Sequence, residues 1–207
     1  MLGEMTLNDL MNNEAELLER TRARDDEAFR LLVDRHKGLL VNYLTRLTGC
    51  RDRAEDYAQE AFIRFYQQIH RYREEGALSA YLLRIATNLV RSDERRKKRW
   101  KVLEPLFMIT GFKTSHGSAN AHGAITSPQG EALAHEEQRQ VVQALESLDL
   151  LYRAPIVLRE IEGMSYRDIA AALEISVGTV KSRLNRGRQL LKQELAPYWN
   201  GGECTHG

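Results

Sequence analysis

The chain has 207 residues, of which 43% are hydrophobic and 29% charged, with a net charge of +1 and only two cysteines. That balance is normal for a soluble globular protein of one large or two small domains. Cys50 and Cys204 lie far apart without metal-ligand spacing, so neither a disulfide scaffold nor a zinc site is expected, and a reducing cytoplasm fits. Cys204 and His206 read as part of an unstructured tail, since two ligands cannot close a tetrahedral site. No basic start leads into an apolar run, and the most hydrophobic stretch, Val102 to Phe112, is short and broken by Glu104 and Pro105, so no membrane segment is expected. The small net charge hides segregation, because cations cluster in Arg91 to Lys101 and Lys181 to Lys192. Placement of charge, more than its total, points to nucleic acid.

Residues 1–24 read as an N-terminal extension in which Leu7, Leu10, Leu17 and Leu18 form a weakly amphipathic helix or nothing ordered. From Asp25 the stripe Phe29, Leu32, Val33, His36, Leu40, Tyr43, Leu44 and Leu47 predicts a helix ending at Gly49, with His36 at the core edge. Asp52, with Glu55 in the capping-box position, predicts a second helix. Its packed side carries Ala54, Tyr57, Ala58, Ala61, Phe62, Phe65, Tyr66 and Ile69. After a short polar loop from His70 to Leu78, a third helix begins near Ser79 and turns Tyr81, Leu82, Ile85, Ala86, Leu89 and Val90 inward. Residues 101–130 lose periodicity and gain glycine, serine and threonine, as an interdomain linker does. A second helical domain is expected over 131–196, followed by a tail over 197–207. Nothing alternates like a strand, so the fold class is all-α, with two small helical domains joined by a flexible linker.

The stretch from Gly163 to Leu184 reads as two short helices around a tight turn. Ser165 caps the first with Asp168 completing a capping box, and Ile169, Ala170 and Leu173 share its inner face. Ser176 caps the second, whose Val180, Leu184, Gly187 and Leu191 recur at the spacing that buries one side. The other side carries Lys181, Ser182, Asn185, Arg188 and Gln189, all able to reach base edges or phosphates. Lys181, Arg183, Arg186, Arg188 and Lys192 run without an acid until Glu194, whereas a merely solvated face mixes signs. This is the pattern of a DNA-reading helix-turn-helix.

Three segments carry a wider likeness: Asp56-Tyr57-Ala58-Gln59-Glu60-Ala61-Phe62, Tyr81-Leu82-Leu83-Arg84-Ile85-Ala86-Thr87-Asn88, and Arg159 to Tyr166 continuing through Val177-Gly178-Thr179-Val180-Lys181-Ser182-Arg183. With them the chain resembles bacterial RNA polymerase sigma factors of the extracytoplasmic-function group, in family order over about three quarters of its length. The resemblance implies that 25–100 is region 2, which binds core polymerase and opens the minus-ten element, and that 131–196 is region 4, which binds the minus-thirty-five element. It implies a polymerase-docking strip of Asp56, Gln59, Glu60 and Arg64. It also implies a minus-ten pocket helped by Tyr72 and Asn88, with Arg84, Arg91 and Arg95 along the strand. Where relatives carry tryptophan in the third helix this chain has Tyr81, so no role is carried over there.

Holding an unstacked base costs a few kcal/mol that pocket contacts must offset, and an amide edge plus an aromatic wall suit that task. Arg91, Arg95, Arg96, Lys97, Lys98 and Arg99 would follow phosphates without reading sequence. In region 4 the family's upstream contacts fall on Gly178, Thr179, Lys181, Ser182, Asn185, Arg186 and Arg188, with Gly178 letting the helix start approach a phosphate. Arg186 or Lys181 can pair with guanine and Asn185 with adenine, but docking decides which. No catalytic group, cofactor or metal is expected. The implied partners are core polymerase, duplex and melted promoter DNA, and a protein anti-sigma factor. A response-regulator-like factor would leave the first domain unexplained, and a nucleic-acid enzyme would need a carboxylate cluster or phosphate loop that the chain lacks.

Overall fold

The computed structural model describes residues 7–73, 77–109 and 132–199, with side chains described over 14–73, 77–99 and 140–196. The linker residues 110–130 and the Cys204 and His206 tail lie outside that set. Among the described residues there is no strand. The front half is α1 (Leu7–Arg22), α2 (Asp26–Thr48), α3 (Arg51–Gln68), a 3-10 turn at Ile69–Arg71 and α4 (Leu78–Ile109). The back half is α5 (Ala132–Ser147), α6 (Leu150–Ile156) running into a π turn at Val157–Ile161, α7 (Tyr166–Leu173) and α8 (Val177–Trp199).

Local chemistry sets most boundaries. Asp25 caps α2 by accepting from the Glu27 and Ala28 amides, and Gly49 closes it in the left-handed region at φ +65, where a β-carbon is disfavoured. One expectation fails at α3. The helix starts at Arg51 behind Cys50, with no side-chain cap bond, so Asp52 sits within the first turn, where its charge meets the positive helix end without capping it. Ser165 caps α7 through the Asp168 amide at 3.2 Å, and its hydroxyl donates to the Asp168 carboxylate at 2.5 Å. Ser176 caps α8 through the Thr179 amide at 3.1 Å. Pro155 lies inside α6 and lacks an N–H, and the wide turn follows two residues later, closed by Glu162 N–H donating to Val157 C=O at 3.1 Å.

The front core joins Leu32, Leu40, Tyr43, Leu44 and Leu47 of α2 to Ala58, Phe62 and Phe65 of α3 and Leu82, Leu83 and Ala86 of α4. Each fully buried leucine contributes about 1.5–3 kcal/mol. Tyr43 crosses that core, and its hydroxyl lies 2.8 Å from Thr87 Oγ1, which donates to Leu83 C=O. The phenol needs such a partner because burial pushes its ionisation far up. Helix α1 is ordered and belongs to this half: Leu17, Leu18 and Thr21 are buried, and Glu14 bonds His36 Nε2 at 3.0 Å. Helix α4 runs on to Ile109, into residues expected to be linker.

The two halves share one apolar cluster, with α7 packed on α4 and α5 against α2. At their junction the buried Arg153 donates to three carbonyls, those of Leu47, Glu146 and Leu148. Glu94 lies 3.9 Å away and Lys98 reaches Asp149 at 3.1 Å. Gly49 leaves room for the Glu146 carboxylate, which occupies the space a β-carbon there would need. Removing the Arg153 guanidinium strands these carbonyls, so Arg153→Ala should lower stability by about 2–4 kcal/mol. Urea titration checks this: a reduced midpoint with unchanged slope is expected.

Candidate nucleic-acid interface

Helix α8 is seated by its inner stripe. Val180 and Leu184 are buried, and Gly187 lets the helix approach Ile156 and Tyr152 so closely that an added β-carbon would lie 2.6 Å from Ile156 Cδ1. Lys181, Ser182, Asn185, Arg186, Arg188 and Gln189 are all exposed on the remaining faces, as the periodicity requires. Ser182 donates back to Thr179 C=O at 3.0 Å, and Thr179 is half-buried beside its Ser176 cap. Arg188 is already engaged, its guanidinium holding Glu160 at 2.6 and 3.1 Å. Gly178 is exposed in open space, with Ser176 Oγ the nearest atom to an added β-carbon at 3.7 Å. Arg183 turns toward the other half, where burial, then the nearby Arg91, depresses its proton affinity.

On α4 the expected strand-binding residues recur at helical spacing, and Arg84, Asn88 and Arg91 have partners within the protein. Asn88 is exposed, with its side-chain oxygen accepting from Arg91 at 3.2 Å. Arg84 stacks on Tyr81 at 4.6 Å and pairs with Glu174 of α7 at 2.9 Å. Glu174 is the left-handed C-cap of α7, so the close of one helix presents a carboxylate to the other half. Arg95 and Arg99 are exposed, whereas Arg96 and Lys97 both pair with Asp93, at 2.7 and 2.8 Å. Burial opposes ionisation of Asp93, but bonds from Lys97, Tyr57 and Arg96 outweigh it and hold the carboxyl below its ordinary value.

Tyr72 departs from its expected setting. Its ring is only 6% exposed and packs edge-on to Phe65 and Tyr81, with centroids at 5.9 and 4.8 Å. An aromatic beside a polar loop reads equally as a base-stacking wall or as core, and here apolar neighbours on α3 and α4 claim it.

On α3, Asp56, Gln59 and Arg64 are exposed and Glu60 half-buried, with Arg64 bonded to Glu60 at 2.6 Å. Ile63, which the polar pattern passed over, lies on the same strip and is 43% exposed. Its i, i+3, i+4, i+7 spacing from Asp56 is the signal that places it there. Among the described residues no group of three or more His, Cys, Asp or Glu side chains is placed to hold a metal ion. No helix among them is long and apolar enough to cross a membrane.

Residues 32–101 match the family model of sigma-70 region 2, and residues 138–191 match that of sigma-70 region 4. The chain is 33% identical over 181 residues to the ECF RNA polymerase sigma-E factor of Haemophilus influenzae, covering 87% of this chain and 94% of that one. It is 34% identical over 178 residues to the ECF RNA polymerase sigma factor SigW of Bacillus subtilis, covering 86% and 94%. Among solved structures, the sigma factor RpoE in complex with the anti-sigma factor NepR from Bartonella quintana matches with a TM-score of 0.57 and 25% identity, over 81% of this chain and 96% of that one. CnrH, solved in complex with the cytosolic domain of CnrY, shares the fold with a TM-score of 0.63 at 24% identity, over 89% and 98%. Two helical units in this order, each matched to its own region and both spanned by relatives along nearly their whole length, make the chain a member of the ECF RNA polymerase sigma factor family.

Proposed function

We propose that the protein is a transcription initiation subunit with no catalytic chemistry of its own, which binds core RNA polymerase, directs it to promoters and helps open the minus-ten element. The observation that carries this is the outward face of α8, where Lys181, Ser182, Asn185 and Arg186 all stand exposed on a helix whose opposite side is locked into the core. A two-unit reading with region 2 over 25–100 and region 4 over 131–196 accounts for both basic surfaces. The α3 strip of Asp56, Gln59, Glu60 and Arg64 is assigned to polymerase docking, where Ile63 adds apolar contact area. Asn88 is assigned to a flipped base and Arg84, Arg91 and Arg95 to the melted strand, with the cytoplasm, where the polymerase works, as the compartment. RpoE and CnrH were each solved bound to a protein partner, RpoE's being an anti-sigma factor, and we assign a partner of that kind to this chain as well.

Run-off transcription by purified core polymerase, with and without the protein, tests the assignment directly. Promoter-specific transcript only in its presence is expected, and failure to bind core overturns the reading.

Arg186→Ala should weaken duplex binding to the upstream element by about 1–3 kcal/mol, measured by fluorescence anisotropy, with core affinity unchanged. Asn88→Ala should reduce the fraction of open complex detected by permanganate footprinting while sparing duplex binding through region 4.

A further inference from the structure

Along α4 the residues assigned to the melted strand share one face with Arg99, because Arg84, Asn88, Arg91, Arg95 and Arg99 recur at spacings of three and four. Asp93 stands on the opposite face. It is the next position of the inward stripe after Ala86, Leu89 and Val90, where the stripe meets the Tyr57 hydroxyl of α3 instead of an apolar side chain. The Asp93 side chain is only 14% exposed. Tyr57 donates to one of its carboxylate oxygens at 2.8 Å, Lys97 approaches the same oxygen at 2.8 Å, and Arg96 holds the other at 2.7 Å.

Arg96 and Lys97 follow Asp93 by three and four residues, the spacing at which helical side chains meet, so both arms are drawn to the Asp93 side of the helix. They remain accessible, with side chains 67% and 51% exposed. The Tyr57 bond fixes the carboxylate from behind, and the three donors together outweigh its burial and keep it charged. The cationic run that reads as one surface in the sequence is therefore sorted by its partners. Arg95 and Arg99 continue the strand face, while Arg96 and Lys97 attend an acid on the other side.

We propose that Asp93 is a positioning residue that protects strand selectivity: by holding Arg96 and Lys97 on the far side of α4, it denies these two cations to single strands that bind without regard to sequence. The proposal rests on the initiation reading above. A strand whose register is set by base contacts lies along the Asn88 face, where the far-side cations add little. A strand bound through phosphates alone can lie anywhere, and each extra free cation strengthens it by releasing counterions. Exchanging the Asp93 carboxylate for a phosphate returns little net free energy, so the acid weakens the competing mode and leaves the selected one nearly intact. Selectivity is the difference between the two.

The experiment uses holoenzyme reconstituted from core polymerase and the full chain. Wild-type holoenzyme first selects its preferred strand from a randomised single-stranded oligonucleotide pool, and that strand and a scrambled strand of the same composition become the probes. Asp93→Asn keeps an oxygen that accepts from Tyr57 and removes the charge. It should bind the scrambled strand about threefold more tightly, with the preferred strand changed much less. Its salt slope on the scrambled strand should steepen by about 0.7–1.4, the share of one to two freed cations. A merely structural role predicts the reverse, a loss on both strands. Asp93→Glu restores a carboxylate and should return the scrambled strand to wild-type affinity. Unchanged or weaker binding of the scrambled strand by Asp93→Asn overturns the proposal, as does an equal gain on both strands or a gain that Asp93→Glu shares. Should Asp93→Asn not fold, the exposed cations decide: Arg95→Gln should flatten the preferred-strand slope by about 0.7, and Arg96→Gln with Lys97→Gln together by less than that. An equal or larger loss from the double variant overturns the proposal. A wild-type holoenzyme that enriches no strand strikes at the initiation reading itself, and the positioning role falls with it.

Discussion

The Arg153 guanidinium is the constraint on which the arrangement of this molecule turns. Helices end with carbonyls that have no intrahelical partner and carry the negative end of the helix dipole. Leu47 lies at the close of α2, Glu146 at the close of α5, and Leu148 in the corner that follows. A single side chain from α6 collects all three, using the fork of donors that only arginine offers. Because two of those helix ends belong to opposite halves of the chain, satisfying the backbone at one corner also ties α6 and the end of α5 to the end of α2. Burying a cation is costly, and the charge is tolerated because carbonyl oxygens surround it, with Glu94, Glu146 and Asp149 favouring the protonated form.

Most of the chemistry assigned to DNA is engaged within the protein. Arg84 holds Glu174, Arg188 holds Glu160, Arg91 bonds Asn88, and Asp93 occupies Arg96 and Lys97. Several of these pairs are substantially exposed, and such pairs are worth about 0–1 kcal/mol. A polyanion that releases condensed counterions as it binds can displace them. The small net charge of the chain is thus compatible with a strongly basic working surface, because the compensating acids are local and exchangeable.

Much of this was legible in the sequence where a residue type acts alone. Asp25, Ser165 and Ser176 cap helices by accepting nearby amides, and Gly49 ends one by tolerating positive φ, so their positions announce boundaries. The inner stripe of α8 likewise follows from spacing, Gly187 included. Illegible were features that need a distant partner. Asp52 has the spacing of a cap, yet the helix begins one residue earlier. Tyr72 has the composition of an exposed loop aromatic, yet the ring belongs to the core because Phe65 and Tyr81 are there to receive it. Helix α1 has a stripe too sparse to commit to, and it is ordered by α2 and the 3-10 turn, through Glu14, Leu17, Leu18 and Arg22. The packing of α7 on α4 has no periodic signature at all, since each helix face is amphipathic whichever neighbour covers it.

The pairing of Arg84 with Glu174 has a thermodynamic corollary. One guanidinium cannot serve two tenants, so if Arg84 grips a separated strand, it must first let go of the opposite half. Closure of the halves and strand capture then compete for the same group, and by reciprocity whatever factor one imposes on the other is returned in full. Any ligand that prises α7 from α4 would, on that accounting, prime the strand-holding row without touching it.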